Sequence, residues 1–394
     1  MNLLKTFLLV SSVFISNIAI SHENVEFSGF ARIVGGYYDQ DSAEFRDYGS
    51  KILIDNDSLI ALRTDYTATD NLSFVAQVIE HTGKTRESGI QWLYADYKFN
   101  NQLKVRLGRQ RMPLFQYSDV IDVGFAYPWI TAPVTIYNEY LFTEFDGVLT
   151  RYHISNKSLF GYIEAYYGNY KSDVRVFGDI VDTKTENLFG TVLNISFGNL
   201  TMRFATAQAN IAIDQPLLNE VINILRQAGF NESANALSID NTVNMYTAGF
   251  KYEDLKFFLS GEVLRFDSSA FLVGQRNGAY LTAGINDYPF IYHATAAIGN
   301  SKYDEKPTDI PLGVSPLLDQ IYFAANQVFD NIPKDEGAIF TLGTRYEMTE
   351  NAALKAEVSI VRGATDSRGF LSSPNPNAGK QSGTLFQLAV EYVF

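Results

Sequence analysis

A recurring two-residue pattern runs through most of this chain and constrains its fold more than any other feature. About sixteen segments of roughly ten residues place apolar or aromatic side chains at every second position. Such alternation is typical of β-strands whose two faces meet different surroundings. In the last segment, residues 384–394, the apolar face consists of Phe386, Leu388, Val390, Tyr392 and Phe394.

The connections between these segments alternate between short and long. The short ones contain turn-forming residues, as in Gly198-Asn199 and Glu253-Asp254, whereas most of the others are long and polar. An even number of tilted strands with long loops at one end is the layout of a transmembrane barrel. A soluble β-sandwich is the alternative, but it has no reason to keep this rhythm along the whole chain. We therefore predict an all-β fold, a transmembrane antiparallel up-and-down β-barrel of about sixteen strands.

The predicted strands cover residues 25–38, 57–67, 72–82, 88–99, 103–111, 145–154, 158–168, 187–197, 200–211, 242–252, 255–266, 278–285, 289–298, 337–348, 352–362 and 384–394. Two long connections also contain helix signals. One begins near Asp214 and Pro216 and ends near Gly229, and the other begins at Ser315-Pro316. We expect these helices to pack on the barrel mouth or on a neighbouring subunit, with insertion into the membrane as the alternative.

The first residues predict an exported protein. Lys5 precedes an apolar stretch over residues 7–20, and Ala19-Ile20-Ser21 is a small-x-small cleavage site. We predict a signal peptide over residues 1–21 and a barrel domain over residues 22–394. The chain has no cysteine, so no disulfide can form. Its formal net charge of −13 argues against nucleic acid as a partner.

In this pattern the chain resembles the general diffusion porins of Gram-negative bacteria, which are sixteen-stranded trimers. Its end, with Tyr392 and Phe394, is similar to the closing strand of bacterial outer-membrane proteins. The resemblance implies an outer-membrane channel, without a cofactor, for ions and small hydrophilic solutes. It also implies a homotrimer in contact with outer-membrane lipid and lipopolysaccharide. Tyr392 and Phe394 would then be the signal that the barrel-assembly machinery recognises.

The segment between the fifth and sixth predicted strands, residues 112–144, is unlike the other connections. It is rich in aromatic residues and contains no lysine or arginine. Its four carboxylates belong to Asp119, Asp122, Glu139 and Glu144. If this loop folds inward, it can bury its aromatic rings and leave the carboxylates facing the channel. The resemblance to porins implies this placement, because the third external loop of porins forms the constriction.

The predicted strand faces supply charges opposite these carboxylates. The inward basic residues are Arg32, Arg63, Lys98, Lys104, Arg106, Arg151 and Arg203, and the inward acidic ones are Asp65, Asp96, Glu164 and Glu262. We predict that Arg32, Arg63, Arg106 and Arg151 face the four loop acids across the constriction. Opposed charges of this kind tune ion passage. The acidic loop and the acidic chain together predict a modest preference for cations.

Signals for other classes of protein are weak. Gly83-Lys84-Thr85 lacks the preceding glycine of a phosphate-binding loop, and no G-x-S-x-G motif occurs. His81, His153 and His293 lie on separate predicted strands, which favours neither a metal site nor a catalytic triad. We therefore predict that the protein is not an enzyme.

Several alternatives stay open. They are a substrate-specific channel, an outer-membrane hydrolase and a non-conducting receptor or adhesin barrel. Asp39, Asp41, Glu44 and Asp47 form an acidic loop that lacks the spacing of a calcium site. Divalent bridging from this loop to lipopolysaccharide phosphates is a further alternative.

Overall fold

A computed structural model describes residues 23–394 except 84–87, 138–142, 177–178, 214–215, 239–240, 269, 272, 305–308, 331, 333, 376 and 378–379. Within the described residues, sixteen strands form one closed antiparallel barrel. Every strand pairs with its neighbours in sequence, and β1 closes the barrel against β16. The predicted fold class is therefore confirmed.

The strands are β1 (Val25–Tyr38), β2 (Leu59–Thr69), β3 (Leu72–His81), β4 (Gly89–Lys98), β5 (Leu103–Arg111), β6 (Glu144–Asn156), β7 (Leu159–Val176), β8 (Asp179–Phe197), β9 (Leu200–Ile213), β10 (Asn241–Glu253), β11 (Phe257–Ser268), β12 (Gln275–Asp287), β13 (Phe290–Lys302), β14 (Glu336–Thr349), β15 (Ala352–Thr365) and β16 (Lys380–Val393). Each predicted strand overlaps one of these. Most strands begin and end within a few residues of their predicted bounds, because the alternation used for prediction covers nearly the same residues.

The outer face of the barrel is apolar, as the alternation predicts. On β16, Phe386, Leu388 and Val390 are exposed, whereas Gln387 and Glu391 on the opposite face are buried. Aromatic pairs are frequent near the short turns. They include Tyr66–Phe74, Tyr97–Phe99, Tyr252–Phe257, Phe290–Tyr346 and Tyr392–Phe394. A band of this kind is typical of the membrane–water interface of a β-barrel.

The last residue takes part in closing the barrel. The backbone of Phe394 accepts a hydrogen bond from Gly29 N at 2.9 Å and donates one to Gly29 O at 3.0 Å. The Phe394 ring covers Gly29 so closely that a Cβ on residue 29 would lie 2.4 Å from the ring. A glycine is therefore required where the terminal aromatic ring crosses β1.

The hairpin of β7 and β8 is the main difference from the predicted strands. The sequence predicts that β7 ends at Gly168 and that β8 begins at Asn187. In the structure β7 extends to Val176, and β8 begins at Asp179. Their register shifts where the extension begins, between Gly168 and Tyr170. Antiparallel pairing joins backbone groups and does not need apolar side chains, so it can continue where the apolar alternation used for prediction becomes too weak to recognise.

Both predicted helices are present, at Pro216–Gln227 and Pro316–Asp330. Ile222 and Leu225 of the first helix lie in one apolar cluster with Ala325 and Phe329 of the second. The two helical loops therefore pack against each other at the long-loop end of the barrel. Among the described residues, no helix has the length and apolar character needed to cross a membrane.

Two other loops fold over the inside of the barrel together with the segment between β5 and β6. We call residues 39–58 the first loop, residues 112–143 the third loop and residues 366–379 the eighth loop. Tyr48 of the first loop, Val134 of the third and Leu371 of the eighth share one buried cluster with Leu385 of β16. The interior on this side is thus filled by loops that pack against one another and against the wall.

Candidate pore constriction

The third loop begins by running along the inner face of β9, β10 and β11. The carbonyl of Pro113 accepts a hydrogen bond from Arg203 of β9. The carbonyl of Leu114 accepts one from Thr247 of β10 at 2.9 Å. These contacts satisfy backbone groups that would otherwise be buried without partners, so they fix the loop inside the barrel.

The end of the third loop returns to the same part of the wall. Gln116 N donates to Glu262 of β11 at 2.7 Å, and the Tyr137 hydroxyl donates to the same carboxylate. Thr135 donates to Ala279 O at 3.2 Å, close to Gly278, where a Cβ would lie 2.0 Å from Thr135 O. One carboxylate therefore holds both ends of the loop.

The middle of the third loop contacts β13 and β14. The Trp129 indole donates to Thr295 of β13 at 2.9 Å. The Arg345 guanidinium of β14 lies 4.1 Å from the centre of the Phe125 ring and donates to the Phe125 carbonyl. The loop rings also pack among themselves, since Tyr117 and Trp129 meet edge to face with centroids 5.2 Å apart. The aromatic residues that made this segment unusual in the sequence are thus buried inside the barrel.

Asp122 and Glu144 are buried instead of facing the channel. Arg111, the last residue of β5, contacts Asp122 at 2.7 Å and Glu144 at 3.0 Å. Gln91 of β4 also donates to Asp122 at 2.7 Å. Gln110 and Arg111 are neighbours in sequence and both are buried, so the alternation between faces ends before Arg111. The alternation therefore gave no indication of the ion pairs that Arg111 forms.

Arg32 is buried as well. Its guanidinium donates to Asp57 O at 2.8 Å and to the Tyr127 hydroxyl at 3.3 Å. Burial raises the pKa of Tyr127 to about 12, so its hydroxyl stays protonated and donates to Ile121 O at 2.7 Å. In this structure Arg32 connects the first and third loops to β1.

Asp119 is the predicted loop acid that the structure leaves accessible. It lies in the short turn Ser118–Val120, and about half of its side chain, 52%, is exposed. The Arg151 guanidinium of β6 lies 4.0 Å from its carboxylate. Glu139 lies outside the described residues, so the structure places neither its backbone nor its side chain.

Each of the three remaining predicted arginines has a carboxylate partner on the wall. Arg63 donates to Asp65 at 2.6 Å, Arg106 to Asp96 at 3.0 Å and Arg151 to Glu164 at 2.6 Å. Each guanidinium also lies over an aromatic ring: Arg63 over Trp92 at 5.2 Å, Arg106 over Tyr94 at 5.1 Å and Arg151 over Tyr162 at 4.5 Å. These contacts hold the arginines flat along the wall, with their positions fixed from two sides.

Lys355 and Glu357 also contact the loop but were not singled out in the sequence, although a signal for them existed. Lys355 and Glu357 occupy positions on β15 that the two-residue period assigns to the inner face, and both are buried. Charged residues at inward positions beside an aromatic loop could have been paired with it. Elsewhere in the described residues, no three His, Cys, Asp or Glu side chains are arranged to hold a metal ion.

A closed sixteen-strand barrel with an apolar outer face and a third loop packed inside is the architecture of the outer-membrane porins. No protein-family model matches the chain. No curated protein matches it in sequence either.

Solved structures show the same fold. The anion-selective porin of Comamonas acidovorans is 14% identical, with a TM-score of 0.57 over 94% of this chain and 99% of that one. The outer-membrane channel DcaP of Acinetobacter baumannii is 11% identical, with a TM-score of 0.57 over 95% and 99%. A trimer form of OmpT, an outer-membrane protein of Vibrio cholerae, is 12% identical, with a TM-score of 0.54 over 94% and 99%. At these identities the likeness establishes the fold alone.

Proposed function

We propose that this protein is an outer-membrane channel for passive diffusion of ions and small hydrophilic solutes, and that it is not an enzyme. The observation that carries the proposal is the exposed Asp119 on the inward-folded third loop, facing Arg151 on the wall at 4.0 Å. Fixed opposite charges inside a barrel favour hydrated and polar solutes over apolar ones, because an apolar solute must displace ordered water. The named neighbours, a porin and an outer-membrane channel, support the same function.

A modest cation preference is part of the proposal. Arg63, Arg106 and Arg151 are each compensated by a wall carboxylate, which leaves Asp119 as the additional charge at this level. Inward Lys98 and Lys104 moderate the preference, so we expect it to be small. We propose that Asp122, Glu144 and Arg32 hold the loop in place and that Glu139 is a further acidic residue of the loop.

The location and assembly of the channel are also proposed. Residues 1–21 would direct export and be removed, and residues 22–394 would insert into the outer membrane in contact with lipid and lipopolysaccharide. The exposed apolar face that ends at Tyr392 and Phe394 would be recognised by the barrel-assembly machinery. We propose a homotrimer, in line with the trimer form of the Vibrio cholerae protein.

Liposome swelling tests the diffusion function. Purified protein in liposomes should admit small neutral sugars at rates that fall steeply with solute size, in the same way for chemically unrelated sugars. Uptake of one sugar, with exclusion of other sugars of similar or smaller size, would favour a substrate-specific channel instead. Liposomes that stay as impermeable as protein-free controls would contradict the proposal.

A further inference from the structure

Strand β15 presents two opposite charges to the third loop from one inward face. Lys355 is fully buried, and its ammonium donates to three loop carbonyls, Gly124 O and Tyr127 O at 2.7 Å and Trp129 O at 2.8 Å. Glu391 of β16 lies beside the same ammonium at 2.8 Å. An ammonium has three donors and no acceptor, so the single Lys355 side chain can bind three carbonyl groups of the loop.

Glu357 supplies the complementary half of the contact. Its two carboxylate oxygens accept from Ile130 N at 2.9 Å and Thr131 N at 3.3 Å. His293 of β13 lies 3.3 Å from the same carboxylate. On β15, Lys355 therefore binds backbone carbonyl groups of residues 124–131, and Glu357 binds backbone amide groups of the same segment.

The loop approaches the wall as closely as its backbone allows. A Cβ on Gly124 would lie 2.1 Å from the Glu391 carboxylate, so a larger residue at position 124 would force either this carboxylate or the loop to shift. The ends of the loop are held separately, by Glu262 of β11. Loss of the β15 contacts would thus weaken the attachment of residues 124–131, leaving them held by Thr295 and Arg345, while the ends of the loop stay attached.

We propose that Lys355 is a positioning residue that keeps the middle of the third loop against the β15–β16 wall. In this position the loop leaves the passage steadily open. The inference rests on the proposed channel function, because it concerns the same loop. When this contact is lost, the middle of the loop moves away from this wall and obstructs the passage intermittently. Glu357 and Glu391 act with Lys355 as parts of the same anchor.

The test compares single-channel currents of Lys355→Met with those of the parent. Methionine keeps a long apolar side chain and removes the ammonium. We expect loss of the steady open level, with frequent partial closures, while heat-modifiable gel mobility shows a folded barrel. Lys104→Met, which removes an inward lysine from β5, is the matched control and should change ion preference without adding closures.

A second variant keeps the test decisive if Lys355→Met does not assemble. Gly124→Ala leaves Lys355 intact but forces Glu391 or the loop to shift, so it disturbs the same anchor and should also produce partial closures. A steady parent channel, with steady currents in every variant that assembles, would overturn the inference. A parent that never conducts would overturn the proposed function instead, so the two failures are distinguishable.

The absence of cysteine from the chain allows a rescue experiment. The side chains of Thr131 and Gln387 meet at 3.2 Å, between the loop and β16. In the Lys355→Met background, Thr131→Cys and Gln387→Cys can be joined when diamide takes two electrons and two protons from the thiols. The oxidised channel should regain the steady level, and dithiothreitol should remove it. Identical currents in the two redox states, with the disulfide verified by mass spectrometry, would contradict the positioning role.

Discussion

The Arg151 guanidinium and the Asp119 carboxylate lie 4.0 Å apart, one on the barrel wall and the other on a loop folded inside it. Arg151 is simultaneously held by Glu164 at 2.6 Å and by the Tyr162 ring. The wall charge is therefore immobilised and compensated, whereas the loop charge remains accessible. This asymmetry is the basis of the proposed selectivity.

Neutralising Asp119 should shift ion preference toward anions. For Asp119→Asn we expect a reversal potential in a KCl gradient displaced in the anion direction at low salt. The shift should shrink as salt rises, because the Debye length falls from ~30 Å at 0.01 M to ~3 Å at 1 M. Arg63→Gln and Arg106→Gln should shift it in the cation direction.

Asp146→Asn is the control for Asp119→Asn, because it removes the same charge from an exposed position on the outer rim that does not hold the third loop. It should leave the reversal potential near that of the parent. Equal shifts from the two variants would show that Asp119 has no special access to the passage.

Replacing Arg111 should destabilise the third loop. Arg111→Met leaves Asp122 and Glu144 buried without their cation, and breaking such a buried pair costs about 3–5 kcal/mol. We expect a lower free energy of unfolding in urea and faster proteolysis within residues 112–143. Arg109→Gln is the neighbouring control, since Arg109 pairs with Asp146 at the exposed outer rim, where such pairs contribute about 0–1 kcal/mol. Equal losses from both variants would refute the buried pairing.

The first loop should loosen at acidic pH through Asp57. Burial raises the pKa of this carboxyl, but Arg46 and Arg32 outweigh burial, and the net pKa is lowered. A lowered folded pKa stabilises the loop above the unfolded value of about 3.9, and this stabilisation is lost as the pH falls through the folded pKa. Amide hydrogen exchange over residues 39–58, corrected for intrinsic rates, should show loss of protection below about pH 3.9.

Asp57→Asn supplies the comparison for that measurement. The variant should be less protected at neutral pH, because Arg46 loses its 2.6 Å partner, and its protection should vary less with pH. A variant that retains the parent's pH dependence would assign the transition to other carboxyls.

Removal of Phe394 should impair barrel closure and insertion. The residue contributes two backbone hydrogen bonds to β1 and covers Gly29 with its ring. We expect truncated protein to accumulate in the periplasm, measured by cell fractionation and surface labelling. Phe394→Tyr, which keeps an aromatic ring, should assemble nearly as the parent does. Normal surface levels of the truncated protein would show that this residue is dispensable.

The parts of the fold that follow from alternation were predictable from the sequence. Period two assigns Phe386 to the outer face and Arg63 to the inner face, because a strand at an apolar boundary must separate the two sets. The pairing of β7 with β8 beyond Gly168 was not predictable in this way, since most residues of this part of the sequence are polar.

The candidate site was predictable only in part, because alternation assigns faces of strands and says nothing of how a loop turns. It gave the arginines of β2, β5 and β6, but not the burial of Asp122 and Glu144 around Arg111. These ion pairs depend on the path of the third loop. The anchor at Lys355 joins residues more than two hundred positions apart in sequence, and the two-residue period places Lys355 on the inner face without identifying its partner.

The most direct test of the central claim is a planar-bilayer recording of the purified, unmodified protein. The account predicts discrete conductance steps as protein inserts, a reproducible open level, and a small cation preference at low salt. Protein that is folded by heat-modifiable mobility and inserted in the bilayer, yet produces no conductance steps, would contradict the account.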